Sequence, residues 1–162
     1  MHVIREKRHR LPQSEYKGQI SVAFTLCLRN QGQGLNRAEI SETFSGILAS
    51  ESARAECIVP VYCFMPDHQH LIVTGSGPDS DAWKAVVGYK QKTGYWMTRN
   101  VKDMDWQKDF YDHIIRTDED VAAQVRYILD NPVRKGLVSC WRDYPFKGAI
   151  GCRLEDVLVG IM

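Results

Sequence analysis

No Cys-x-x-Cys pair, no apolar run long enough to cross a bilayer, no internal repeat and no low-complexity tract occur in these 162 residues. Each absence removes a class of protein. The five cysteines, Cys27, Cys57, Cys63, Cys140 and Cys152, are odd in number and share no close spacing, which argues against a disulfide framework and against thiolate zinc or redox motifs. They read as reduced cysteines, mostly core. The longest apolar runs, residues 57–65 with Pro60 inside and residues 71–73, fall short of the roughly 20 residues of a membrane helix. The basic start, residues 2–10, is not followed by the apolar core of a signal peptide. The expectation is a cytoplasmic protein with no membrane partner. Net charge is nearly absent too: Lys and Arg number 21 against 20 for Asp and Glu, a formal charge of +1. That balance neither supports nor excludes nucleic acid, because a phosphate backbone senses a local patch rather than the total.

What is present is the composition of a soluble domain, 44% hydrophobic and 25% charged, with length for one core. A single domain over residues 1–162 is expected, its core at about 18–138 and its tail at 139–162. Positive residues cluster at Arg5, Lys7, Arg8 and Arg10, at Lys84, Lys90 and Lys92, and at Arg126, Arg134 and Lys135. Each cluster reads either as a solvated face or as a phosphate contact.

Residues 20–29 are rich in branched and aromatic types and read as a first strand. A helix follows from about residue 36 to 55: Asn36 and Glu39 have capping-box spacing, and Ile40, Phe44, Ile47 and Leu48 share one face. Two strands, residues 57–64 and 68–74, flank the Met65-Pro66-Asp67 turn as a hairpin. A second helix over 82–100 would bury Trp83, Val87, Gly94 and Met97, with Lys90 on the same stripe. Lys90 then either snorkels past the edge or faces a site that wants positive charge. A fourth strand over 106–116 leads to Thr117-Asp118-Glu119-Asp120, which suits a third helix's N-terminus. The order predicts an α+β fold, a ferredoxin-like βαββαβ sandwich with an antiparallel sheet and an added C-terminal helix. The Val157-Leu158-Val159 cluster suggests that the tail packs, within the chain or across a dimer.

His68 and His70 open the third strand. Strand side chains alternate faces, so the two imidazoles point one way and Gln69 the other. Such a pair presents either two ligands to one divalent metal or two half-buried histidines. On the third helix Val121, Ala122, Val125, Ile128 and Leu129 mark the buried stripe. Asp120, Gln124, Tyr127 and Asn131 share a flanking face, with Tyr127 and Asn131 one turn apart. The bland alternative makes Tyr127 an amphipathic boundary residue and has Asn131 end the helix before Pro132.

Three segments carry a family likeness: Met65-Pro66-Asp67-His68-Gln69-His70-Leu71-Ile72-Val73, Trp106-Gln107-Lys108-Asp109-Phe110-Tyr111-Asp112-His113-Ile114-Ile115-Arg116, and Tyr127-Ile128-Leu129-Asp130-Asn131-Pro132-Val133-Arg134-Lys135-Gly136-Leu137-Val138. Together they closely resemble the REP-associated tyrosine transposases, which are single-tyrosine HUH transposases. The likeness runs on to Trp141-Arg142-Asp143-Tyr144-Pro145 and so covers most of the chain.

The resemblance implies a nuclease acting on single-stranded DNA with hairpin (REP-like) elements. It makes Tyr127 on the added helix the nucleophile, forming a 5′-phosphotyrosine and a free 3′-hydroxyl. It makes His68 and His70 the ligands of Mg²⁺ or Mn²⁺, with Asn131 completing the metal shell. The chemistry suits the residue types. A phenol with a pKa of about 10 needs a nearby cation or base, and two imidazoles with one amide leave coordination positions for phosphate and water. Two histidines would also suit Zn²⁺, so the metal's identity rests on the resemblance. A homodimer is one expected state and a monomer the other.

Lys90, Trp106, Arg126, Arg134 and Lys135 are the candidate DNA contacts. Trp106, like Tyr95, is a stacking surface if exposed and a core residue otherwise. His113 either approaches the site from the fourth strand or is a hydrogen-bonded structural histidine. Two rivals stand beside the transposase reading: a catalytically silent single-stranded DNA- or RNA-binding module of the same fold, and a hydrolase using metal-bound water.

Overall fold

Branched and aromatic residues repeating every second position build a sheet and divide its two faces. The computed structural model describes residues 11–116 and 120–160. Arg5, Lys7, Arg8 and Arg10, and the Thr117-Asp118-Glu119 part of the expected helix start, lie outside the described residues. The chain runs β1 (Ser21–Cys27), α1 (Ala38–Arg54), β2 (Cys57–Phe64), β3 (His68–Gly75), α2 (Ala82–Asn100), β4 (Tyr111–Ile115), α3 (Val121–Arg134), β5 (Lys147–Ile150) and α4 (Leu154–Leu158). The strands lie in the order β4-β1-β3-β2-β5, every neighbouring pair antiparallel. The first four strands with α1 and α2 make the α+β, ferredoxin-like βαββαβ pattern.

Alternation assigns each side chain its layer. Val22, Phe24 and Leu26 of β1 and Leu71 and Val73 of β3 pack under α1 and α2. Val61, Cys63 and Ile72 face the other way, into a second core with Val125, Ile128 and Leu129 of α3. Phe44 centres the first core, with ring centroids of Phe64, Tyr89, Trp96 and Trp106 between 5.6 and 6.4 Å away. Truncating such a ring to alanine costs about 3–5 kcal/mol. Among the described residues all five cysteines are free. Burial pushes the Cys57 thiol up to about 11 and the Cys63 thiol up to about 12. No described helix is long and apolar enough to cross a membrane.

The Asn36–Glu39 capping box does not form: Arg37 is the N-cap and makes no side-chain cap. The Asn36 side chain instead lies toward Tyr144, whose hydroxyl donates to the Phe64 carbonyl.

The buried face of α2 is Ala82, Ala85, Val86, Tyr89, Thr93 and Met97, so the expected stripe of Trp83, Val87 and Gly94 is its shoulder and only Met97 was correctly placed. Satisfied polar tips explain the rotation. The Tyr89 hydroxyl donates to Gln69 Oε1 at 2.5 Å, and Thr93 Oγ1 accepts from Trp106 Nε1 at 2.9 Å.

The fourth strand begins at Tyr111 rather than Trp106. β1 pairs with β4 as Ser21↔Ile115 through Thr25↔Tyr111, a register that would set Lys108 opposite Leu28. The residue actually bridged to Leu28 is Trp106. The extra residues loop out, and both Trp106 and Phe110 turn into the first core.

α3 begins as expected on acidic capping, with the Asp120 carboxylate accepting from Ala122 N at 2.9 Å. It does not stop at Asn131. The helix continues to Arg134 with Pro132 inside it. Proline removes one backbone donor, but Lys135 N and Gly136 N close the last turn on the Asn131 and Val133 carbonyls, both at 3.0 Å. Gly136 then leaves with φ +73, the left-handed exit that glycine adopts without strain. The tail adds β5 to the edge of β2 and packs Leu154 and Val157 of α4 into the second core, while Val159 is exposed.

Candidate functional site

β3 starts directly after the Met65-Pro66-Asp67 turn, and its pleat sends His68 and His70 toward α3 while Gln69 turns toward α2. Gln69 is fully buried on that opposite face and anchored by Tyr89. The strand is thus pinned from behind while its two imidazoles face the other layer. Their Nε2 atoms stand 3.1 Å apart, with ring centroids at 4.7 Å and ring planes at 85°.

The far nitrogens decide what the near ones can do. His68 Nδ1 lies 2.7 Å from Asp67 Oδ1, and an ionised carboxylate can only accept, so Nδ1 carries a proton and in the neutral ring Nε2 keeps its lone pair. His70 Nδ1 lies 3.0 Å from Thr25 Oγ1, a cross-strand partner in the β1–β3 register. The hydroxyl can accept that ring's proton in the same way. Burial above all, then the His68 and Arg134 charges, push the His70 pKa down to about 3. His70 is therefore neutral at ordinary pH.

Asn131 arrives from α3, with Nδ2 3.4 Å from His68 Nε2, and is itself 7% exposed. Among the described residues no three His, Cys, Asp or Glu side chains form a metal-sized group, and here the third donor would be an amide. Turning the amide about its terminal torsion exchanges nitrogen for oxygen without moving the backbone.

Two lone pairs facing one another at 3.1 Å suit a shared cation. Two imidazoles and an amide are a donor set that suits a divalent ion, Zn²⁺ as well as Mg²⁺ or Mn²⁺.

Tyr127 is not part of this cluster. Its ring is 64% exposed, and no hydrogen bond joins its phenol to His68, His70 or Asn131. Although Tyr127 and Asn131 are one turn apart, the amide is covered by the sheet and the phenol is turned out. The Arg134 guanidinium lies 4.1 Å above the Tyr127 ring and donates to the Tyr127 carbonyl and to Asp130 Oδ2, both at 3.1 Å. Arg126 donates to the Leu158 carbonyl, which ties α4 to α3. Lys135 is exposed at the C-cap of α3.

Lys90 and Trp106 lie elsewhere. Both border a cleft beside α2, on the sheet face opposite the histidines. Lys90 snorkels, donating to the Lys108 carbonyl and reaching 5.5 Å above the Phe110 ring. Trp106 is 3% exposed with its Nε1 committed to Thr93, so its faces are closed to an unpaired base. Tyr95 is exposed but carries the Arg99 guanidinium at 5.4 Å. His113 of β4 is level with Ala23 of β1 and Ile72 of β3, so it stands two strands across and two residues along from His70, roughly 12 Å at about 4.8 Å per strand and about 3.4 Å per residue.

Sequence reasoning missed Asp67 and Thr25. Asp67 was visible as the residue before the first histidine, a carboxylate within reach of Nδ1. Thr25 was not, because it meets His70 only through strand register.

The family described as "Transposase IS200 like" matches residues 16–131. The REP-associated tyrosine transposase of Escherichia coli K12 is 30% identical over 126 residues, covering 76% of this chain and 72% of that protein. A Haemophilus influenzae protein that bears the same name provisionally is 27% identical over 95 residues, covering 52% of this chain and only about half, 54%, of its own length. A solved structure of a REP-associated tyrosine transposase bound to a REP hairpin superposes with a TM-score of 0.71 at 25% identity, covering 87% of this chain and 81% of that one.

Proposed function

The chain belongs to the IS200-like transposases, and from that premise we propose that it is a metal-dependent single-stranded DNA endonuclease and strand transferase acting at hairpin-bearing DNA. The observation that carries this reading is the 3.1 Å convergence of His68 and His70 Nε2 with the Asn131 amide 3.4 Å away. The hairpin substrate is supported by the solved relative, which is bound to a REP hairpin.

His68, His70 and the Asn131 oxygen would hold Mg²⁺ or Mn²⁺, while Asp67 and Thr25 fix the two ring orientations. Bound there, the ion would withdraw charge from the non-bridging oxygens of the scissile phosphate. Tyr127 gives its phenolic proton to solvent, and its oxygen attacks phosphorus. The bond from phosphorus to the 3′-oxygen breaks, and that oxygen takes up a proton and leaves as a 3′-hydroxyl. One phosphoester replaces another, so a later 3′-hydroxyl can reverse the step and reseal or transfer the strand. Arg134 brings positive charge to the ring on which negative charge develops.

One observation favours a second reading. The Tyr127 phenol touches none of the three metal candidates, as expected if the fold only binds DNA or if a water molecule is the nucleophile. Incubating the protein with hairpin oligonucleotides from the flanks of its own gene, with Mg²⁺ or Mn²⁺ or with chelator, separates these readings. The proposal expects a metal-dependent covalent adduct mapped to Tyr127 and lost in Tyr127→Phe with binding retained. Cleavage that survives Tyr127→Phe assigns the hydrolase, and binding without cleavage in either form assigns the binding module.

A further inference from the structure

Gln69 stands between the two candidate ligands and faces the opposite way. Gln69, Leu71 and Val73 of β3 all point under α2 and all are fully buried, yet only Gln69 is polar. Packing alone would favour an apolar side chain there. The amide is paired at one end: Oε1 accepts from the Tyr89 hydroxyl at 2.5 Å, while Nε2 is the buried side-chain nitrogen that finds no partner among the described residues. Turning the amide over would only exchange which of its atoms is left unpaired. Half-paired burial opposes folding, so packing does not account for this residue.

What the amide adds is direction. An apolar contact holds a side chain at a distance, whereas a hydrogen bond also fixes its angle. The tether acts where the strand has least to hold it: His68 is the first residue of β3, and the polar run His68-Gln69-His70 carries no hydrophobic alternation to set which face each side chain takes. Its other end is firm. Tyr89 lies in the middle of α2, fully buried, with its ring edge-on to Phe44. The Tyr89 carbonyl accepts from Thr93 Oγ1 at 2.7 Å, and Thr93 Oγ1 accepts from Trp106 Nε1. Burial holds the Tyr89 phenol well above its ordinary pKa, so the hydroxyl stays a donor.

We propose that Gln69 and Tyr89 are positioning residues for the metal site: their hydrogen bond, made on the far face of the sheet, sets the orientation of the first residues of β3 and through it the approach of His68 and His70 Nε2. The inference rests on the function proposed above, and it gives α2, on the sheet face opposite the imidazoles, a share in the site's metal affinity.

The test compares the full-length parent with Gln69→Leu, Tyr89→Phe and the double variant. Three quantities are read: the urea midpoint in chelator, Mn²⁺ affinity by electron paramagnetic resonance, and the His68 and His70 ring-nitrogen NMR signals of the metal-free protein. Each single variant leaves a polar group unpaired in the core and should lose stability; the double variant leaves none and should regain it. Mn²⁺ affinity should nonetheless fall roughly ten-fold in all three, and the ring signals, one sharp set in the parent, should broaden or double. The double variant keeps the proposal falsifiable where a single variant fails to fold. Affinity and ring signals that return to parental values together with stability in the double variant make the pair a packing feature and overturn the proposal. A parent that binds no Mn²⁺ overturns the metal site of the proposed function, and ring signals unchanged across the metal-free variants then overturn the positioning role as well.

Discussion

Asn131 Nδ2 lies 3.4 Å from His68 Nε2, a contact between residues 63 positions apart. Among the described residues it is the side-chain hydrogen-bond contact that joins α3 to the histidine pair, and it exists because the helix runs on through Pro132 and keeps Asn131 against the sheet. As a ligand, the amide must present oxygen instead of nitrogen. Asn131→Asp keeps an oxygen there and is expected to hold Mn²⁺ at least as tightly as the parent, whereas Asn131→Leu should weaken it roughly ten-fold or more. Free Mn²⁺ measured by electron paramagnetic resonance decides the matter. Equal affinity in Asn131→Leu would remove Asn131 from the metal shell.

Asp67 acts one step further out. Its carboxylate holds the proton on His68 Nδ1 and so keeps Nε2 available. Asp67→Ala should lower Mn²⁺ affinity by about 10–100-fold, and nitrogen-detected NMR of the metal-free protein should show the His68 proton redistributed between its two ring nitrogens. Asp67→Asn retains an acceptor oxygen and is expected to fall between. An unchanged tautomer in Asp67→Ala refutes the role.

His70 makes the metal-free protein acid-sensitive. Its folded pKa is pushed down to about 3 from 6.5, by burial first. Between those values the unfolded chain binds the proton and the folded chain does not, so stability is lost as pH falls below about 6.5, by up to about 1.4 kcal/mol per pH unit. Above that pH the effect is absent. Urea midpoints in chelator should fall more steeply from pH 7 to pH 5 for the parent than for His70→Gln, and parallel slopes would contradict the burial argument.

Local chemistry made much of this legible in advance. The strand cores, the helix over 82–100, the acidic cap of α3 and the shared face of His68 and His70 all follow from spacing within a few residues. Trp106 shows the limit: a tryptophan at a strand start reads equally as a stacking surface or as core, and a register slip between β1 and β4 settles it as core. The face of α2 shows another. A hydrophobicity count chooses Trp83 and Val87, while the hydrogen bonds open to Tyr89 and Thr93 turn the helix the other way.

The sequence by itself determined that two imidazoles stand on one side of one strand, with an acid beside the first and a tyrosine one turn before an asparagine. Strand pleat and helical pitch are local geometry and need no partner. Only the tertiary structure decided that Thr25 backs His70, that Asn131 reaches His68, that the Tyr127 phenol stays outside that cluster, and that Trp106 turns into the first core. Register and layer packing minimise exposed apolar surface and unsatisfied polar groups over the whole chain, and no short window of residues contains that sum.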